Sequence, residues 1–431
     1  MQSEAQDAAG RPALKRALGA RSLIVFGLAY VAPISVFTTY GVASAISDGQ
    51  LALSYLVATM AMLLTALSYA SLAGWYPEAG SVHTYAAKAL HAHVGFLAGW
   101  AIALDYVMIP VVNFIIAGIF GSSLVPAVPA WAWMTGSLVL VSALNALGIE
   151  TTDRSARVVL ALELVALLVF IGVAAWWGGG PIGNPAAAGW TPIFAAASIV
   201  AISFLGFDAV TTLSEEALAP QRDVPRAVVL TCLVAGGLFI VVCATAYRAH
   251  PVARFADADA AGFAVAAAIG GPALAALIAV GELVGSFASA LAGQAGAARL
   301  LFGISRATGL GRGVLDRVHA TRRVPTGAVA VLALAGGLAF VLTLEQVVSL
   351  INFGALTGFL AVHAAVLREG LARHPHRSAR VWVRFVVLPV AGAGFVLTLL
   401  WNLSPTALLV GGSWLALGAA VLTFRGPTWR P

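Results

Sequence analysis

A chain of 431 residues that is 60% hydrophobic and only 10% charged is not composed like a soluble globular protein, in which nearer a quarter of residues are charged. Its mean hydropathy of +0.94 marks a polytopic membrane protein and excludes a large soluble domain. The net charge of +6 does not indicate nucleic acid, because the basic residues lie in short loops between apolar spans, as membrane orientation requires.

Residues 1–21 are polar and weakly basic (Arg11, Lys15, Arg16, Arg21) and lack the cleavage pattern of a secretory signal, so the first apolar run is expected to stay in the mature protein. Apolar spans are predicted at 23–47, 51–74, 93–120, 127–148, 156–178 and 192–215, then at 226–247, 268–298, 327–343, 347–368, 383–401 and 405–424. Each of the twelve is long enough for a hydrocarbon core of about 30 Å. Cys232 and Cys243 fall in one span, which indicates neither a disulfide framework nor a metal site. With the N-terminus inside, 22 of the 24 lysines and arginines fall on the cytoplasmic side, and only Arg248 and Arg254 fall outside. That asymmetry predicts cytoplasmic termini and an even number of spans.

Three connections are long enough to hold structure. Residues 75–92 are expected to form a short amphipathic helix at the inner surface, and 248–267 are the longest outer connection. Residues 299–325 carry six arginines and read as an inner-face helix and turn, which fits an orientation and lipid-headgroup patch and, as the alternative, a regulatory element.

Two spans are interrupted. The first, IVFGLAYVAPISVFTTYGVAS, contains Pro33, which removes a backbone donor and clashes with the preceding turn. The sixth, AISFLGFDAVTTLSEE (201–216), breaks around Gly206 and places Asp208 inside the apolar zone. These are corresponding positions if spans one to five repeat in inverted orientation as spans six to ten, and paired interruptions of that kind point to a midplane binding site. Gly and Pro are also common in membrane helices without such a role.

Asp105, Glu163, Asp208 and Glu282 are acids within spans, and no lysine or arginine lies deep in a span to pair with them. They fit an electropositive substrate or a proton path, and any one of them also fits a neutral structural group bonded to a neighbouring helix, Glu163 and Glu282 more readily than Asp105 and Asp208. Asn113, Asn352 and His363 fit interhelical hydrogen bonds. Tyr30, Phe37 and Tyr40 surround the first break, Tyr106 follows Asp105, and Phe204 and Phe207 surround the second. Aromatic faces with carboxylates suit an ammonium group, and the same rings also suit helix packing. The sequence has no HExxH and no P-loop GxxxxGK[ST]; His83, His91 and His93 read as interfacial residues.

The segments FGLAYVAPISVFTTYG (26–41), FLGFDAVTTLSEE with VPRA following, ARLLFGISR (298–306) and INFGALTGF (351–359) resemble the amino acid–polyamine–organocation transporter superfamily, and within it bacterial putrescine importers. The resemblance spans about 20–425. It implies an all-α polytopic fold of 12 transmembrane helices, with a core at 22–368 made of two inverted five-helix repeats (23–178 and 192–368) like that of the leucine transporter. Helices one and six are broken, residues 1–21 form a tail, and 369–431 hold two appended helices and a short tail. Carried onto this chain, the substrate-binding segments are Ala32, Pro33, Ile34, Ser35 and Phe37 in the first helix, and Gly206, Phe207, Asp208 and Ala209 in the sixth. Asp105 and Tyr106 line the same site. Relatives have a glycine-rich segment where this chain has Pro33, which favours an amine lacking a carboxylate. Many basic-amino-acid relatives carry a lysine near the position of Ala166, and Glu163 lies one turn away; Glu163 and Glu282 are the candidate coupling residues.

The resulting expectation is a proton-coupled importer of a small cationic amine such as putrescine in the bacterial inner membrane; the alternative is an amino acid permease or exchanger of the same fold. Its partners would be a small cationic or zwitterionic substrate, protons and the lipid bilayer. It would act as a monomer or weak homodimer, with no nucleic acid, cofactor, metal or catalytic residue.

Overall fold

A computed structural model of the chain describes residues 18–77, 82–148, 153–179, 189–308, 311–319, 324–374 and 378–425. Most of the predicted N-terminal tail, together with Arg322, Arg323, Arg377 and Arg430, lies outside the described residues.

Apolar sequence of this length can satisfy its backbone in hydrocarbon only as helix, and eleven helices among the described residues are long and apolar enough to cross a membrane. In chain order the helices are α1 (Ala20–Val31), α2 (Tyr40–Ile46), α3 (Leu51–Trp75), α4 (Val82–Ala89), α5 (Ala92–Leu124), α6 (Ala130–Leu147) and α7 (Asp153–Trp177). The second half holds α8 (Trp190–Val200), α9 (Pro220–Ala249), α10 (Ala261–Thr308), α11 (Thr326–Gly336), α12 (Leu344–Arg373), α13 (Ala379–Trp401) and α14 (Pro405–Arg425). The protein is therefore an all-α polytopic membrane protein.

Three predicted boundaries move, each for a local reason. Span seven begins at Pro220 rather than 226, because proline at the first helical position costs no hydrogen bond. Span eight is corrected most: the helical run begins at Ala261, but Gly271 (φ 69°, ψ −169°) divides it ahead of Pro272, so 261–270 is a separate helix in the connection that follows α9. The helix also runs on to Thr308, ten residues past the predicted end at 298. Span nine is the short one. Thr326–Gly336 is α-helical and Gly337–Phe340 tightens to a 3₁₀ turn, which gives a rise of only about 25 Å.

Helix α9 packs along α3 and α1, while α5 packs along α10 and α12. Side chains between these layers form one continuous core that includes Tyr55, Phe114, Phe204, Phe239 and Phe359. The interfacial elements are tied down at the end nearest residue 20. Leu18 exchanges backbone hydrogen bonds with Glu216 and Leu218, at 3.0 and 2.9 Å. The predicted amphipathic helix is α4, and the Arg368 guanidinium donates to its last carbonyls, Ala89 and Leu90. The Arg373 guanidinium lies 5.3 Å from the ring centres of both Trp75 and Tyr76, and bonds Glu369 at 2.6 Å. The interfacial histidines serve local structure. His91 Nδ1 accepts the His93 amide and caps α5, and burial holds the His83 imidazole below its ordinary pKa.

Candidate functional site

Both predicted interruptions are real breaks in the backbone. Helix α1 ends at Val31; Ala32 then takes a left-handed conformation (φ 50°, ψ 80°), and Pro33–Phe37 continue as a 3₁₀ turn into α2. A non-glycine residue there costs roughly 1–2 kcal/mol, strain of the kind that concentrates at functional sites. In the sixth span α8 gives way to a 3₁₀ turn (Ala201–Phe204), an extended Leu205, Gly206 at φ 110°, and a second 3₁₀ turn (Phe207–Leu213). The two breaks touch: a Cβ on Gly206 would lie 2.7 Å from Tyr30 Cδ1 and 3.1 Å from the Tyr30 carbonyl oxygen. Gly206→Ala is thus expected to cost at least about 1 kcal/mol through φ alone, with the clash added. A lowered melting temperature in detergent, together with reduced uptake, checks this.

The carbonyls released at the end of α8 are taken up by Asn352, which is fully buried on α12 and donates Nδ2 to Ser198 and Ile199 oxygens at 2.8 and 3.1 Å. Asn352→Leu would remove the buried side-chain donor from both carbonyls, leaving Ile199 only the Ala201 amide, at about 1–3 kcal/mol. It is expected to lower the thermal midpoint more than Asn113→Leu. Asn113 donates to Ile109 of its own helix and to Ser289 of α10. His363 takes a third course, with Nε2 3.1 Å from Thr65 Oγ1 and Nδ1 3.0 Å from Ser68 Oγ, and so joins α12 to α3.

Two groups of polar side chains flank the breaks. The group nearer residue 20 holds Asp208, Asp105, Tyr30, Tyr69 and Tyr106. Tyr69 Oη donates to Asp208 Oδ2 at 3.2 Å, and the backbone around Gly206 and Ala209 hydrogen-bonds the same carboxylate. Asp105 and Asp208 are close enough to interact electrostatically with each other and with Tyr30 and Tyr106. Asp105 is 7% exposed, and its Oδ1 has no hydrogen-bond partner among the described residues. The Ser35 hydroxyl in the first break is likewise buried without one. On one flank Tyr69, Phe207 and Phe359 pack mutually at 5.7–5.9 Å between ring centres.

The second group lies on the far side of the first break. Thr38 Oγ1 donates to the Glu282 carboxylate at 3.3 and 3.4 Å, and Glu282 interacts with Glu163. Glu163 adjoins the Ile34 backbone, and its Oε1 would lie 2.7 Å from a Cβ on Gly285. Tyr55 Oη lies 3.0 Å from Ser203 Oγ, which links this group to the second break. Phe37 covers it, edge-on to Phe170 at 4.8 Å, and Tyr40 packs on Phe255 of the connection between α9 and α10 at 6.0 Å. Glu163 and Glu282 are 1% and 2% exposed, whereas Tyr30, Ala32, Ser35, Tyr106, Asp208 and Ala209 keep intermediate exposure. The site is therefore sealed at its far end and less closed toward residue 20.

Several of these residues escape a sequence reading. Tyr69, Tyr55, Ser203 and Thr38 are hydroxyl side chains in apolar spans, a pattern too common to single them out. Conversely, Ile34 and Phe37 are buried in helix packing, so the Ile34 side chain faces α10 rather than the exposed group.

Broken helices that bring acids and hydroxyls to the middle of a helical bundle define a polytopic membrane transporter. Residues 22–383 match the amino acid permease family model, so the chain belongs to that family, which comprises transporters and not enzymes. It is 31% identical to the low-affinity putrescine importer PlaP of Escherichia coli K12 over 97% of this chain and 96% of that protein. It is 29% identical to the branched-chain amino acid permease BcaP of Bacillus subtilis, over 96% and 93% of the two chains. The methylthioribose transporter of the same organism is also 29% identical, over 95% and 93%.

Proposed function

We propose that the chain is a secondary importer of a small cationic amine of the putrescine type, driven by protons. The observation that carries this reading is the unpartnered Asp105 carboxylate oxygen beside Asp208, next to the breaks and among Tyr30, Tyr69 and Tyr106. An ammonium group supplies the missing charge and donors, and aromatic faces accept the cation and its methylenes. The first break also argues against an α-carboxylate. Pro33 has no amide, the Ser35 amide is spent on the Ala32 carbonyl at 2.9 Å, and the Ile34 amide faces Glu163. Asp257, Asp259 and Glu345 gather at the outer end; burial, then Asp257 and Glu345, raise the Asp259 carboxyl above the usual carboxylate range. A rim of this sign draws cations toward the entrance.

On this reading Ala32, Pro33, Ile34, Ser35, Phe37, Asp105, Tyr106, Gly206, Phe207, Asp208 and Ala209 form or frame the binding site, with Glu163 and Glu282 in coupling. The 15-residue Thr326–Phe340 helix counts as the ninth crossing. That gives twelve crossings, two inverted five-helix repeats within 22–368, two appended helices, and both termini in the cytoplasm of a bacterial inner membrane. The state at hand is then closed toward the periplasm, and α1, α3, the broken sixth span and α9 move against the rest to open it. A membrane potential, negative inside, drives each positive charge inward by about 2.3 kcal/mol per 100 mV.

Uptake of labelled putrescine into proteoliposomes, with lysine, leucine and glutamate as competitors, tests the reading. Saturable uptake that unlabelled putrescine displaces and none of the three amino acids inhibits is expected; inhibition by leucine alone would replace the amine by an apolar amino acid.

A further inference from the structure

On its lipid-facing side the bundle carries a groove that the transport mechanism does not use. A hollow of about 500 Å³ lies between α3 and the start of α13, floored by Ser68, Ala70 and Ser71 and walled by Arg380, Val383 and Arg384. Its shape follows from the sequence on both sides. The floor is made of small residues, and their hydroxyls turn inward: Ser68 Oγ pairs with His363, and Ser71 Oγ donates to the Leu67 carbonyl at 3.0 Å. Opposite, α13 is locally widened by a π turn at Val383–Val387, a feature frequent at functional sites. The hollow therefore offers carbon to an occupant along its length.

Its mouth is cationic. Arg380 and Arg384 stand four residues apart, on one face of α13, and both are exposed. Neither has an acidic partner among the described residues; the guanidinium of Arg384 lies 5.2 Å from the Phe385 ring centre. The mouth also lies at a membrane–water boundary. The α12–α13 connection ends at Ser378, which caps the helix through the Val381 amide. Exposed Trp382 and the Trp75–Tyr76–Arg373 stack lie at this end, as aromatic and basic residues do at the headgroup level.

We propose that this groove binds an anionic diacyl phospholipid, with one acyl chain along α3 and the headgroup phosphate between Arg380 and Arg384. An apolar slot between spanning helices with a pair of unneutralised guanidinium groups at the headgroup level is complementary to that molecule. A zwitterionic lipid fits the slot but brings its own cation to the mouth. The bound lipid also reaches the transport site. Its floor residues Ser68 and Ala70 flank Tyr69, which holds Asp208 from the opposite face of α3, so filling the groove braces that helix.

The test is direct binding, which does not depend on the identity of the transported substrate. The purified full chain in dodecyl maltoside is presented with dioleoylphosphatidylglycerol, dioleoylphosphatidylcholine or soluble glycerophosphoglycerol, and read by native mass spectrometry and thermal melting. Retention of phosphatidylglycerol with a raised melting temperature, and no effect of the other two, is expected. The double variant R380Q/R384Q should weaken retention about tenfold or more, as loss of two charge-assisted contacts implies. R380K/R384K should keep most of it, and Ala70→Leu should fill the slot and displace the lipid with both arginines intact. Equal retention of the two lipids, or undiminished retention by R380Q/R384Q, would overturn the proposal. Glycerophosphoglycerol binding as well as the intact lipid would reduce the groove to a phosphate site, and so overturn it too.

Discussion

Asp208→Asn is expected to lower the Vmax/KM of putrescine uptake by about 30- to 1,000-fold, the equivalent of about 2–4 kcal/mol for removing one partner of a buried charge pair. The change preserves size and leaves the Tyr69 hydroxyl a carbonyl to bond, so the fold should survive; what is lost, on the proposed function, is one of the two carboxylates offered to the amine. Tyr69→Phe should cost less, about 3- to 10-fold, because it removes one hydrogen bond to the carboxylate and no charge. Asp105→Asn should match Asp208→Asn in direction, since both carboxylates share one neighbourhood with Tyr30 and Tyr106. Dose–response uptake in proteoliposomes, beside a melting curve for each variant, separates loss of binding from loss of fold. Full uptake by Asp208→Asn would remove the carboxylate from the binding role and leave it as a cap for its own 3₁₀ turn.

The second large effect is expected at Glu282. For one proton per substrate, an inward proton gradient of one pH unit supports about tenfold accumulation. Glu282→Gln is expected to abolish that pH-driven component while exchange of labelled for unlabelled amine at equal pH persists. The reason is positional. Glu282 is buried on the far side of the first break, bonded to Thr38 and adjacent to Glu163, and two acids with no basic partner among the described residues can take up and release a proton. The carboxylates proposed to bind the substrate belong to the other group, so binding and coupling should separate in this variant. Equal loss of exchange and accumulation would instead place Glu282 in the binding step or in the fold.

Much of this architecture was legible because the bilayer imposes a length and a polarity on each segment. The predicted spans at 51–74, 93–120, 127–148 and 405–424 coincide with α3, α5, α6 and α14 to within a few residues. Both breaks were legible for a separate reason. Proline and glycine act on their own backbone, so Pro33 and Gly206 announce an interruption whatever surrounds them. Gly271 acts in the same way, but it sits within an apolar run that continues on both sides of it (AGFAVAAAIG before, PALAALIAV after), so hydropathy does not separate the helix at 261–270 from the span that follows.

The sequence by itself determined a polytopic helical protein with two interrupted spans and four intramembrane acids, because hydrophobicity, charge and backbone restriction are local properties. Only the tertiary structure decided how those acids divide: Asp105 with Asp208 on the exposed side of the breaks, Glu163 with Glu282 on the sealed side. It alone also supplied the partners that make the breaks tolerable, Asn352 for the freed carbonyls of α8 and Tyr69 for Asp208. These pairings join residues 139 to 154 positions apart, and a hydrogen bond at that separation depends on how helices rotate and cross, which no local pattern encodes.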